Sequence, residues 1–189
     1  MAFNNDTFLE LKFIELKNKY NIKSVIETGT YYADTTKWMS LNFDNVFTCE
    51  INEAVHNIAK AELYGYENVV HKNEDTRTFL PYALENSTGN TLVFLDAHWY
   101  ENPLLEEIKI IGDSNKYPII AIHDFKVPNK PFGYDKYHNI SYEWSYINNS
   151  VDNAFPNGYK IEYNSQATGA SRGCIFIIPN HPQWKSLNS

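Results

Sequence analysis

A chain of 189 residues has the length of one domain, with room for a core that needs neither disulfides nor structural metal. Its 16 Lys and Arg against 23 Asp and Glu leave a formal charge of −7, which argues against nucleic-acid and anionic-membrane partners because both demand a basic face. Hydrophobic residues make up 43% and aromatics 15%, a globular composition, and no apolar run is long enough to span a bilayer.

The N-terminus, Met1-Ala-Phe-Asn-Asn-Asp6, has neither a basic nor an apolar leader region, so no signal peptide is expected and the chain reads as cytoplasmic. Thr7-x-x-Glu10 has the form of a capping box opening a helix over about 7–20, with Phe8, Leu11, Ile14 and Leu16 as its apolar stripe. A strand over 24–28 ends at Gly29, and a helix follows over 34–41. A second strand, 46–50, leads into a helix capped by Asn52 and closed by Gly65. A third strand covers 68–72, followed by a short helix carrying Phe79, Leu80 and Leu84. The strand 91–96 is the most apolar so far, and Asn102-Pro103 starts a helix over 104–111.

A fifth strand, 119–124, is followed by an aromatic loop to 142, a helix over 142–155, and strands at 159–163 and 174–178. Cys49 and Cys174 both lie inside apolar strands, as buried thiols rather than a disulfide or metal site. Short apolar strands alternating with helices predict an α/β fold with a mainly parallel sheet, closed by an antiparallel C-terminal edge. In such sheets ligands bind beyond the carboxyl ends of the strands. Glu27, Glu50, Asp75, Asp96 and Asp124 sit at or just past five successive strand ends. These acids either cap the following helices or face a ligand.

The loop Glu27-Thr-Gly-Thr30 has one glycine and an acid at its entrance, unlike the Gly-x-Gly-x-x-Gly that crowds amides around a pyrophosphate. A nucleoside ligand without phosphate suits it better, and S-adenosylmethionine carries cationic sulfonium and amino groups. Here a resemblance enters. Glu27-Thr-Gly-Thr-Tyr-Tyr-Ala-Asp-Thr-Thr36 resembles the first motif of class I S-adenosylmethionine-dependent methyltransferases, and Cys49-Glu-Ile-Asn52 and Asn73-Glu-Asp-Thr76 are similar to their second and third. Phe94-Leu-Asp-Ala-His98 and Ile122-His-Asp-Phe125 resemble the fourth- and fifth-strand motifs of O-methyltransferases of the catechol and macrolide-sugar (macrocin) types.

The resemblance covers about residues 20–180. It implies a Rossmann-like seven-stranded fold over one domain, 1–189, with a cofactor half at about 21–98 and an acceptor and lid half at about 99–180. It further implies that Glu27, Thr28, Gly29, Thr30, Tyr31, Thr35, Glu50, Ile51, Asp75, Thr76 and Asp96 hold S-adenosylmethionine. The reaction implied is methyl transfer to a hydroxyl of a small molecule or glycan, with a sugar hydroxyl preferred. Asp96 with His98, or else His123, is the expected acid–base set, because an imidazole titrates near neutrality. Asp96 and Asp124 are also a pair of hard oxygen ligands for magnesium, which would reduce the need for a base. Two departures stand out: Ala33 replaces a later glycine of the first motif, and Phe125 replaces an Asn or Asp that often adds a metal ligand.

Aromatics at 132, 134, 137, 142 and 144 either form a lid over the acceptor or pack the loop onto the sheet. Arg172 either meets an acidic acceptor or pairs on the surface. Gly169-Ala-Ser-Arg-Gly173 matches the hydrolase nucleophile-elbow pattern, yet a strand follows it instead of a helix and no acid occurs after Ser171. A second reading of the whole chain is a non-catalytic protein that keeps a nucleoside pocket as an interaction surface.

Overall fold

Val25-Ile-Glu-Thr28 is buried on both faces of the sheet, the pattern of a central parallel strand. A computed structural model describes residues 2–97 and 101–184, and it places β1 (Ile22–Thr28) at the centre of seven strands. The others are β2 (Asn45–Cys49), β3 (Val69–Lys72), β4 (Asn90–Leu95), β5 (Ile119–His123), β8 (Tyr159–Tyr163) and β9 (Cys174–Pro179). Their order is β3-β2-β1-β4-β5-β9-β8, with β9 antiparallel to both neighbours and the rest parallel. A short hairpin, β6 (Lys136–Tyr137) with β7 (Ile140–Ser141), forms inside the aromatic loop. The expected mainly parallel sheet with an antiparallel edge is therefore the fold observed.

The chain steps outward from β1 to β3, then returns to β4 on the other side of β1. Direction reverses between β1 and β4, and a crevice forms at their carboxyl ends. One face of the sheet carries α4 (Thr76–Asn86), α5 (Leu104–Asp113) and α6 (Trp144–Ala154) around Phe79, Ile108 and Ile147. The other carries α1 (Thr7–Tyr20) and α2 (Asp34–Asn42) around Phe13, Phe94 and Phe176, while α3 (Glu53–Glu62) buries Ala59 against Ala33. None of these helices is long and apolar enough to cross a membrane.

Local readings shift where the structure adds a neighbour. The cap of α1 is Asp6, whose side chain accepts from the N–H groups of Phe8 and Leu9, so Thr7 is the first helical residue and no capping box forms. The buried stripe is Leu9, Phe13, Leu16 and Tyr20, a strict 4-3-4 spacing, whereas Phe8 and Leu11 are exposed. Pro103 rather than Asn102 takes the cap position of α5, and α6 begins at Trp144, with Tyr142 buried in the aromatic loop before it. Both cysteines are free and buried, as expected. His56 packs its ring on His71, its Nδ1 3.2 Å from His71 Nε2.

Candidate functional site

Successive strand residues point to opposite faces, and this separates Glu27 from Thr28 at the end of β1. The Glu27 carboxylate points beneath the loop, where it accepts hydrogen bonds from the hydroxyls of Thr36 and Thr48. Burial pushes it up to about 8, against the lowering effect of those two hydroxyls. It therefore ties α2 to the sheet and does not reach the rim. Thr30 is also buried, sharing a 2.7 Å hydrogen bond with Thr48, and Thr35 accepts from the N–H of Phe3. The Thr28 hydroxyl accepts from the N–H of Asp96 at 3.2 Å, joining β1 to the end of β4 across the switch point.

The open side of this loop is mainly backbone. Gly29 has φ +87°, and a Cβ there would stand 2.8 Å from the carbonyl oxygen of Asp96. Two N–H groups, of Gly29 and Thr30, converge on the carbonyl of Cys49. Glu50 accepts from the N–H of Tyr31 at 3.1 Å and of Asn52 at 2.9 Å, so one carboxylate holds the first and second loops together. Beside it, Ile51 is 58% and Tyr31 56% exposed, an apolar flank next to a carboxylate that keeps further lone pairs. Asp75 caps α4 and pairs with Arg77, which lowers its pKa, so the helix-capping reading holds at this strand end. Thr76 is buried in the first turn of the same helix.

On the other side of the crevice, Asp96 follows β4 and Asp124 follows β5. His123 is the last residue of β5 and is fully buried, with Nδ1 3.0 Å from Asp96 Oδ1 and 3.5 Å from Asp124 Oδ1. Burial opposes its protonation, but the Asp96 carboxylate, aided by Asp124, outweighs this and raises it to about 9. The three side chains offer ligand atoms within 4.8 Å of one another. Asp96 is the most open of them, its side chain 27% exposed. His98, the first-choice base in the sequence, lies outside the described residues.

Arg172 is neither a lone cation awaiting an acidic acceptor nor a surface pair. Its Nε donates to Asp124 and a terminal nitrogen donates to Asp135 at the start of the hairpin. The aromatic loop is fastened through the backbone as well: the N–H of Asp135 donates to Asp124 O, that of Tyr142 to Asp135 O and that of Lys126 to Tyr142 O. Tyr142 is fully buried, donates its hydroxyl to Asn102 at 2.6 Å, and forms the middle of a stacked row with Tyr137 and Tyr146. The packing expectation is met at Tyr142, while Tyr134 and Tyr137 remain partly open.

Glu107 is a further buried acid that the sequence reading passed over. It lies on the inner face of α5 with no exposure, and neither carboxylate oxygen has a hydrogen-bond partner among the described residues. Its signal was present: Leu104, Glu107, Ile108 and Ile111 share one helical face. Arg172 had no such signal, because its place beside Asp124 depends on the pairing of Cys174 with His123 across two distant strands.

No family model and no curated protein matches the chain at significance. Similarity appears at the level of solved structures. An S-adenosylmethionine-dependent methyltransferase from Aquifex aeolicus superposes with a TM-score of 0.57 at 14% identity, over 92% of this chain and 90% of its own. The fold is that of the Rossmann-like methyltransferases. A putative caffeoyl-CoA O-methyltransferase from Staphylococcus aureus gives 0.59 at 15% identity, over 90% of this chain and 83% of its own. The N-terminal domain of EvdMO1, solved in the presence of S-adenosylhomocysteine and D-fucose, gives 0.58 at 14% identity over 93% and 83%. At these identities the likeness is one of fold, and function rests on the site itself.

Proposed function

We propose that the protein is an S-adenosylmethionine-dependent O-methyltransferase acting on a hydroxyl of a small molecule or glycan. The observation that carries this reading is the crevice at the β1–β4 switch point. It is flanked on one side by Gly29 and Glu50 and on the other by Asp96, with carboxylates where a phosphate ligand would be repelled. Residues there fit the cofactor: Glu50 has lone pairs for a ribose diol, exposed Ile51 and Tyr31 suit a nucleoside face, and Asp96 faces the cationic end. Asp75 and Thr76 flank the same rim by their place at the start of α4. Glu27, Thr28, Thr30 and Thr35 act from beneath, by holding the loop.

Bound there, S-adenosylmethionine supplies an electrophilic methyl group. The chain's own contribution is to fix the acceptor hydroxyl and take up its proton. Asp96 is the accessible acid and the group that touches the acceptor, while buried His123 orients its carboxylate through Nδ1 and acts as a positioning residue. His98, two residues further on, remains within the proposed acid–base set. Tyr134 and Tyr137 line the lid side with faces that suit a sugar ring, in keeping with the EvdMO1 domain having been solved in the presence of D-fucose.

Methyl-labelled S-adenosylmethionine offered with a panel of sugars, polyols and phenols tests the reading. Label is expected on at least one hydroxyl, and Asp96→Asn is expected to lower its transfer by about 100-fold or more. Undiminished transfer in Asp96→Asn removes that residue from the mechanism. Binding of the cofactor without transfer to any acceptor favours the non-catalytic reading.

A further inference from the structure

Asp96, His123 and Asp124 have the composition of a divalent-cation site, two carboxylates and an imidazole nitrogen converging within 4.8 Å. The surrounding residues do not fit that use. Asp124 Oδ1, the oxygen that faces His123, is the one that accepts from Arg172 Nε. A guanidinium stays charged at any relevant pH and does not leave a charge-assisted pair readily. The next residue, Phe125, is fully buried and offers no donor. Magnesium asks for near-octahedral oxygen ligands, and here one of two carboxylates is already engaged while the third donor is nitrogen.

Arg172 is also held where it is. Its carbonyl accepts from Asn164 Nδ2 at 3.1 Å, and its neighbours on both sides are stitched to Gly133, Ser171 O accepting from Gly133 N and Gly173 N donating to Gly133 O. Gly133 leaves room for the arginine: a Cβ at that position would lie 2.9 Å from a terminal guanidinium nitrogen. The second carboxylate, Asp135, accepts from a terminal guanidinium nitrogen and ties the arginine to the hairpin loop. The arginine is therefore built into the rim by the backbone around it, not laid over it from solvent.

We infer that this rim is charge-compensated from within, the Arg172 guanidinium occupying Asp124 in the place a divalent cation would take. The site then works with a fixed internal cation and needs no metal. Arg172 is in this sense a positioning residue: it sets the orientation of Asp124 and fastens the lid to it through Asp135. The inference rests on the methyltransferase reading for its meaning, but its test does not use turnover.

Manganese titrations, followed by electron paramagnetic resonance with and without S-adenosylhomocysteine, read the difference. The wild-type protein is expected to bind Mn2+ no tighter than about 1 mM. Arg172→Gln is expected to bind it at least about tenfold tighter, and Arg172→Lys to return to the wild-type value. Asp124→Asn placed in the Arg172→Gln background should remove the gain, which mere loosening of the lid would not predict. Micromolar binding by the wild type, lost in Asp124→Asn, overturns the inference, as does an Arg172→Gln protein that binds no tighter. Should Arg172→Gln fail to fold, the wild-type and Arg172→Lys titrations decide alone. Failure of S-adenosylhomocysteine to bind would count against the methyltransferase reading and leave the manganese result standing.

Discussion

Glu107→Gln is expected to gain about 2–3 kcal/mol of stability relative to wild type as pH rises from about 4 to 8. Burial pushes the Glu107 carboxyl up to about 7, while the nearby Thr76 and Thr28 hydroxyls act in the lowering direction without closing hydrogen bonds of normal geometry. In the unfolded chain the same group loses its proton near 4.5. Between those values the folded state binds the proton that the unfolded state has released, so stability falls as pH rises through this window and is level above it. The amide removes the titration but keeps the shape. Glu27, raised to about 8, slopes the curve in the same direction in both proteins and cancels in the difference. Urea unfolding at several pH values measures it; parallel curves for the two proteins would contradict the assignment.

Gly29→Ala is expected to destabilise the protein by about 2–4 kcal/mol and to weaken S-adenosylhomocysteine binding by at least tenfold. Two effects add at this position. The left-handed φ of +87° disfavours any side chain, and the new Cβ would press on the backbone carbonyl of Asp96, which cannot swing aside as a side chain could. Gly65 provides the control. It has φ +89° with nothing within 4 Å of a Cβ, so Gly65→Ala should cost only about 1–2 kcal/mol and leave binding unchanged. Equal losses at the two positions, or unaltered binding in Gly29→Ala, would show that the close approach of the first loop to β4 does not shape the site.

The contrast between these two acids and glycines shows what a sequence reveals and what it withholds. Strands were legible because β4 and β5 are apolar on both faces and bounded by polar residues, and the rim followed from the parallel arrangement. Glu50, Asp96 and Asp124 were legible as rim acids for the same reason. Glu27 was not separable from them, since its burial depends on Thr36 and Thr48 arriving from two other elements. Asp75 carried a capping signal and caps. His123 was read as a base, yet the pairing of β5 with β9 buries it and leaves Asp96 as the open group. Arg172 lay beyond reach until that register was fixed. In α1 the error was one of phase: Phe8 and Leu11 fit a loose period, but only Leu9, Phe13, Leu16 and Tyr20 keep one face of the helix on the sheet.

The central claim is that the crevice between β1 and β4 holds S-adenosylmethionine. Calorimetric titration of the wild-type protein with S-adenosylhomocysteine, the product of methyl transfer, tests it most directly. One site with a dissociation constant near or below about 10 μM is expected, about −7 kcal/mol, with clear weakening in Glu50→Ala. No heat at several temperatures, in protein shown to be folded, would contradict the claim.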